Sequence, residues 1–139
     1  MNIRITSIVN SEVGKLIRAV TTDMEDKLQP LFDSRHYGGG FKQFAVFFVS
    51  VDTDPIENER YCVANNHTGK YKDTVSGEMV KYVGIAVPVD PKVVLDSTGE
   101  ALARLMRDSL LDELTAPAYA MPKTFDRAKL LADLKAALV

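Results

Sequence analysis

Residues 41–51, Phe-Lys-Gln-Phe-Ala-Val-Phe-Phe-Val-Ser-Val, constrain the fold more than any other part of the chain. Successive side chains of a strand point to opposite faces. Phe44, Val46 and Phe48 therefore share one face, and Ala45, Phe47, Val49 and Val51 the other. Both faces are apolar. Such a strand must be central and covered on both sides, or covered on one side and packed against a partner on the other. The 139 residues suffice for one domain, residues 1–139,. With 46% hydrophobic and 26% charged residues the chain has the ordinary globular balance, which excludes the disordered class,.

The remaining patterns arrange themselves around that strand. Residues 2–9 alternate, with Ile3 and Ile5 opposite Arg4 and Thr6, and read as a strand,. Val13, Leu16, Ile17, Val20, Met24, Leu28 and Leu31 recur at helical spacing, and Pro30 is expected to end that helix,. Residues 60–65 and 71–75 read as short strands and 78–89 as a long one, separated by turns at 66–69 and 76–77,. Residues 41–89 thus suggest an antiparallel meander. Ser97 and Glu100 have capping-box spacing ahead of a helix striped by Leu102, Leu105, Met106, Leu110 and Leu114,. After Pro117 and Pro122, Thr124 or Asp126 caps a last helix carrying Leu130, Leu131, Leu134 and Leu138,. The expected fold is α+β, an antiparallel sheet of four to five strands with helices packed on it, in the order β-α-β-β-β-β-α-α.

Composition narrows the function classes. No apolar run is long enough to cross a bilayer, and residues 1–6 alternate where a signal peptide would have a basic start and a continuous apolar run,. The single cysteine, Cys62, rules out an intrachain disulfide and agrees with a reducing, cytoplasmic setting,. The net charge is −2, and no lysine–arginine cluster stands out, so direct nucleic-acid binding is not expected,.

No group of residues has the spacing of a catalytic, cofactor or metal site. Asp52, Asp54, Glu57 and Glu59 gather carboxylates in a loop, but counted from Asp52 an EF-hand needs a glycine where Glu57 stands and a glutamate where Val63 stands,. The loop reads as a solvated segment or a negative surface offered to a basic partner. Gly38-Gly39-Gly40 follows a helix and precedes a strand, the reverse of a phosphate loop,. His36 and His67 lack metal spacing, and nothing places Cys62 against a base,. Asp23, Glu25 and Asp26 read as a solvated helix face. Tyr61 and Tyr71 combine contact area with a polar tip and join the acidic loop as candidate partner-binding residues,. The chain is therefore expected to be a non-enzymatic binding protein without a cofactor. An assembly subunit of a phage or secretion system, which would use the doubly apolar strand as a subunit contact, and a small enzyme with an unrecognised site are the alternatives.

The C-terminal half carries a resemblance. A strand ending Ile85-Ala-Val-Pro-Val-Asp-Pro91 leads through Lys92-Val-Val-Leu-Asp-Ser-Thr-Gly-Glu100 into the leucine-striped helix, and Pro122-Lys-Thr-Phe-Asp126 opens the last helix. Over residues 78–139 this pattern resembles the immunity proteins of bacterial toxin systems, including those of contact-dependent growth inhibition. The resemblance implies stoichiometric binding of a cognate toxin domain in the cytoplasm, often a nuclease, by occlusion of its active site or substrate surface. These families share no functional-residue motif, so it assigns no role to any residue.

Overall fold

A computed structural model describes residues 1–9, 11–38, 40–50, 68–115 and 122–138. Its elements are β1 (Asn2–Ile8), α1 (Ser11–Ser34), β2 (Gln43–Ser50), β3 (Thr68–Lys72), β4 (Met79–Val89), α2 (Pro91–Asp96), α3 (Gly99–Thr115) and α4 (Arg127–Ala137). The strands form one sheet in the order β1-β2-β4-β3.

The sheet is not the antiparallel meander expected. β1 pairs parallel with β2, and β2 parallel with β4; among the described strands only the short β3 runs antiparallel, alongside β4. Parallel neighbours need a crossover between them, and the 24-residue α1 supplies one,. The doubly apolar β2 is the signature of a strand inside a parallel sheet. It is buried at every position except the half-buried Phe47. The strand expected at 60–65 lies outside the described residues. Thr68 and Gly69, expected in a turn, open β3 instead.

One core joins the sheet to the four described helices. Ile3 and Ile5 of β1, Phe44, Val46 and Phe48 of β2, and Val83, Ile85, Val87 and Val89 of β4 meet Leu28 and Phe32 of α1, Val94 of α2, Met106 and Leu110 of α3, and Leu130 and Leu134 of α4. Alternation puts Ala45, Phe47, Val49, Tyr82 and Ala86 on the opposite face, where the rings of Phe47 and Tyr82 meet edge-on at 6.3 Å,. Phe44 sits at the centre of the aromatic core. Its ring stacks on Phe32 at 5.6 Å and on Phe125 at 6.1 Å.

Three local expectations also change. α1 runs through Pro30 to Ser34. A proline inside a helix costs about 3 kcal/mol. Burial of Phe32 one turn beyond Leu28 offsets that cost,. Ser97 does not cap α3, because its hydroxyl donates to the Val93 carbonyl at 2.7 Å and closes α2. α2 itself was expected as a connection. Asp90 caps it by accepting from the Lys92 N–H at 2.9 Å, and Pro91 stands at its start, where no N–H is needed,. Asp126 caps α4 as expected, accepting from the Lys129 N–H at 3.0 Å.

The outer edge of β1 is closed by α1. In a parallel pair alternate N–H groups point toward and away from the partner. The Asn2 N–H donates inward to Lys42, while that of Ile3 points outward and donates to Gln29 Oε1 at 3.1 Å. The Gln29 amide also donates to the Met1 carbonyl and to Asp33. One helical turn earlier, the Glu25 carboxylate faces the Ile5 N–H. Side chains four apart on α1 thus replace a neighbouring strand.

Candidate interaction surface

The candidate residues Asp52, Asp54, Glu57, Glu59 and Tyr61 lie outside the described residues, as do Cys62 and His67. Tyr71 belongs to β3, where its backbone pairs with Val80. The α1 carboxylates do not act as one solvated face. Asp23 and Asp26 are exposed, whereas Glu25 is half-buried against β1. Burial pushes its carboxyl above the usual range, opposed by the Ile5 N–H and by Arg4. His36 is exposed, and its Nδ1 accepts from the Gly38 N–H at 2.8 Å. Among the described residues no group of three His, Cys, Asp or Glu side chains could hold a metal ion. No described helix is long and apolar enough to cross a membrane.

The surface with the most distinctive chemistry is the β3–β4 hairpin, which sequence reading passed over. Antiparallel pairing sets Lys70 directly opposite Lys81, and Lys72 opposite Met79. Residues two apart on a strand share a face. Lys70, Lys72, Met79 and Lys81 therefore lie on one side of the hairpin. Lys42 is adjacent, its N–H donating to the Lys81 carbonyl at 2.8 Å. All four lysines are exposed, and none makes an ion pair among the described residues. Lys81 has one aromatic contact, its ammonium standing 4.6 Å from the Phe41 ring centroid. Like charges directly opposite on a sheet are unfavourable. Lys70 and Lys81 are such a pair.

The tip of the hairpin is held rigidly. The Asp73 carboxylate accepts from the N–H groups of Val75 and Ser76 at 2.7 and 3.2 Å, and the Gly77 N–H returns to the Asp73 carbonyl. Gly77 takes a positive φ of 74° that other residues rarely adopt,. This turn holds Val75 out at 96% exposure, and Met79, at the start of β4, is 61% exposed.

Shallow grooves follow the outer edge of β1. The one nearest the start of α1, of about 320 Å³, is lined by Ser7, Gly14, Lys15, Arg18 and Thr21 among others. A second, of about 340 Å³, continues past Arg18 and Arg4 to Glu25. Both are open and mixed in polarity, and Glu25 there is already engaged with β1.

A third titratable region lies between α3 and α4. The Arg127 guanidinium donates to the Leu114 and Glu113 carbonyls at the end of α3. The Glu113 Oε1 is buried without a hydrogen-bond partner among the described residues. Burial outweighs the attraction of Arg127 and pushes this carboxyl up to about 7,.

No family model, no curated protein and no solved structure matches the chain.

Proposed function

We propose that the chain is an immunity protein that binds a cognate bacterial toxin domain in the cytoplasm and occludes its active site or substrate surface. The observation that carries this reading is the β3–β4 hairpin. A turn braced by Asp73 holds Val75 in water, and Met79 stands exposed at the start of β4 on the face of Lys70, Lys72 and Lys81, which form no ion pairs among the described residues. Apolar side chains held out on a rigid turn supply anchors that enter a partner's pocket, and surrounding charge steers the encounter. The pattern over residues 78–139 supports the same reading through its resemblance to immunity proteins.

The test is co-expression with the toxic C-terminal domain encoded beside this chain. Rescue of growth and co-purification of the pair are expected. Val75→Asp with Met79→Asp should abolish both while leaving the thermal midpoint within a few degrees, since both side chains are exposed. A neighbourhood without a toxin, or no rescue, refutes the proposal. The acidic segment is tested separately: if Asp52→Asn with Asp54→Asn leaves binding unchanged, those carboxylates are not contacts.

A further inference from the structure

We infer that the hairpin's partner surface is an acidic protein surface, with carboxylates flanking an apolar pocket. The inference rests on the reading that the hairpin is the contact surface, and it reverses the charge expected of a chain with an acidic loop and a net charge of −2.

Three features carry it. The first is the charge itself. Lys70 and Lys81 are cross-strand neighbours, with Lys72 and Lys42 within a residue or two of them. Among the described residues no carboxylate lies within ion-pair distance of any of the four. Asp73, the nearest in sequence to Lys70 and Lys72, gives its Oδ1 to the turn, and Glu78, the nearest to Lys81, is an exposed neighbour that pairs with none of them. Carboxylates from a partner would convert the repulsion within this cluster into attraction. The second feature is the apolar pair. Val75 and Met79 share the hairpin with the lysines, and Met79 lies on the same face. A phosphate backbone offers positive charge a counterpart but gives Val75 and Met79 nothing to bury against. A protein surface satisfies both. The third is rigidity. The Asx-type turn fixes the backbone that carries Val75, and the Phe41 ring holds the Lys81 ammonium, so part of the freedom lost on binding is already lost,.

The probe is a fluorescein-labelled peptide in which glutamates flank a single phenylalanine, with binding read by anisotropy and mapped by amide chemical shifts on the intact chain. Binding is expected to shift residues 70–81. It should weaken about tenfold or more in Lys70→Glu with Lys81→Glu, and similarly when salt rises from about 0.05 to 0.3 M. Val75→Ser with Met79→Ser should weaken it separately. Unfolding midpoints of the variants guard against misfolding; a variant that loses its fold is replaced by Lys70→Gln with Lys81→Gln. Shifts clustering at Arg4, Lys15 and Arg18, or affinity indifferent to charge reversal, overturn the inference. So does a DNA duplex that binds the hairpin as tightly as the peptide and is insensitive to the serine variants. The peptide assay needs no toxin. Failure of toxin rescue with peptide binding retained removes the immunity reading alone. Rescue that survives the glutamate variants removes this inference alone.

Discussion

Gly38 and Gly40 both have positive φ, 88° and 66°, yet replacing each with alanine should have very different consequences. An alanine at either position bears the left-handed backbone penalty, about 1 kcal/mol relative to glycine. At Gly40 a Cβ would meet nothing within 4 Å, so that penalty is the whole effect. At Gly38 the Cβ would overlap the Thr124 carbonyl oxygen, which is backbone and cannot rotate away. The 122–126 segment must then retreat. It is tied down there by the Asp126 N–H, which donates to the Tyr37 carbonyl at 2.7 Å, and by Phe125, buried against Phe44, Tyr37 and Phe41. Losing that hydrogen bond costs about 1 kcal/mol. Loosening the Phe125 contacts costs another 1–2 kcal/mol or so. Gly38→Ala should therefore destabilise by about 3–4 kcal/mol and Gly40→Ala by about 1 kcal/mol. Urea unfolding of both variants, with unchanged m-values, measures the difference. Equal losses at the two positions would show that the close approach of Gly38 to Thr124 does not hold the C-terminal helix in place.

Other substitutions probe the core and its ionisable groups. Phe44→Ala, at the centre of the stacked rings, should cost about 3–5 kcal/mol, whereas Phe47→Ala, half-buried on the opposite face, should cost less than half as much in the same denaturation assay,. Tyr37→Phe removes the 2.8 Å hydrogen bond to Asp133 and should lower stability by about 1 kcal/mol,. Glu113 gives a pH dependence of definite sign. Its carboxyl is raised to about 7 in the fold from 4.5, so its contribution is fully present below pH 4.5 and is lost as pH rises through about 7,. Glu113→Gln, which mimics the protonated form, should match the parent at pH 4 and exceed it at pH 8. Screening at this partly exposed group limits the gain to about 1 kcal/mol. Urea midpoints at the two pH values decide it.

The centrality of β2 was legible in its sequence, because apolar residues on both faces leave a strand no other place. The direction of its neighbours was not. Two turn signals near 66–69 and 76–77 suggested a meander; the second does join the antiparallel β3 and β4, while the strand expected before the first lies outside the described residues. The long amphipathic α1 between two strands was the better clue to a parallel crossover,. α2 was marked by Asp90-Pro91, a cap followed by a first-position proline, and was hidden by its six-residue length. The lysine cluster was invisible because Lys42, Lys70, Lys72 and Lys81 are scattered along the chain. Counting outward from the turn would have found its core, since the register that pairs Lys72 with Met79 puts Lys70 on Lys81. Lys42 joins them only once β2 lies beside β4, which no local pattern encodes.

The closure of the β1 edge by Gln29 and Glu25 makes α1 a guard against polymerisation as well as a crossover. An outer strand with unsatisfied N–H groups is a template on which another chain can add. Here that template is occupied for as long as α1 stays docked. Local detachment of α1 would uncover the N–H groups of Ile3 and Ile5 together with the apolar side chains of the same strand. Aggregation would then follow the opening of one helix rather than global unfolding. Conditions that loosen α1 without melting the sheet are the ones under which the protein would be lost from solution.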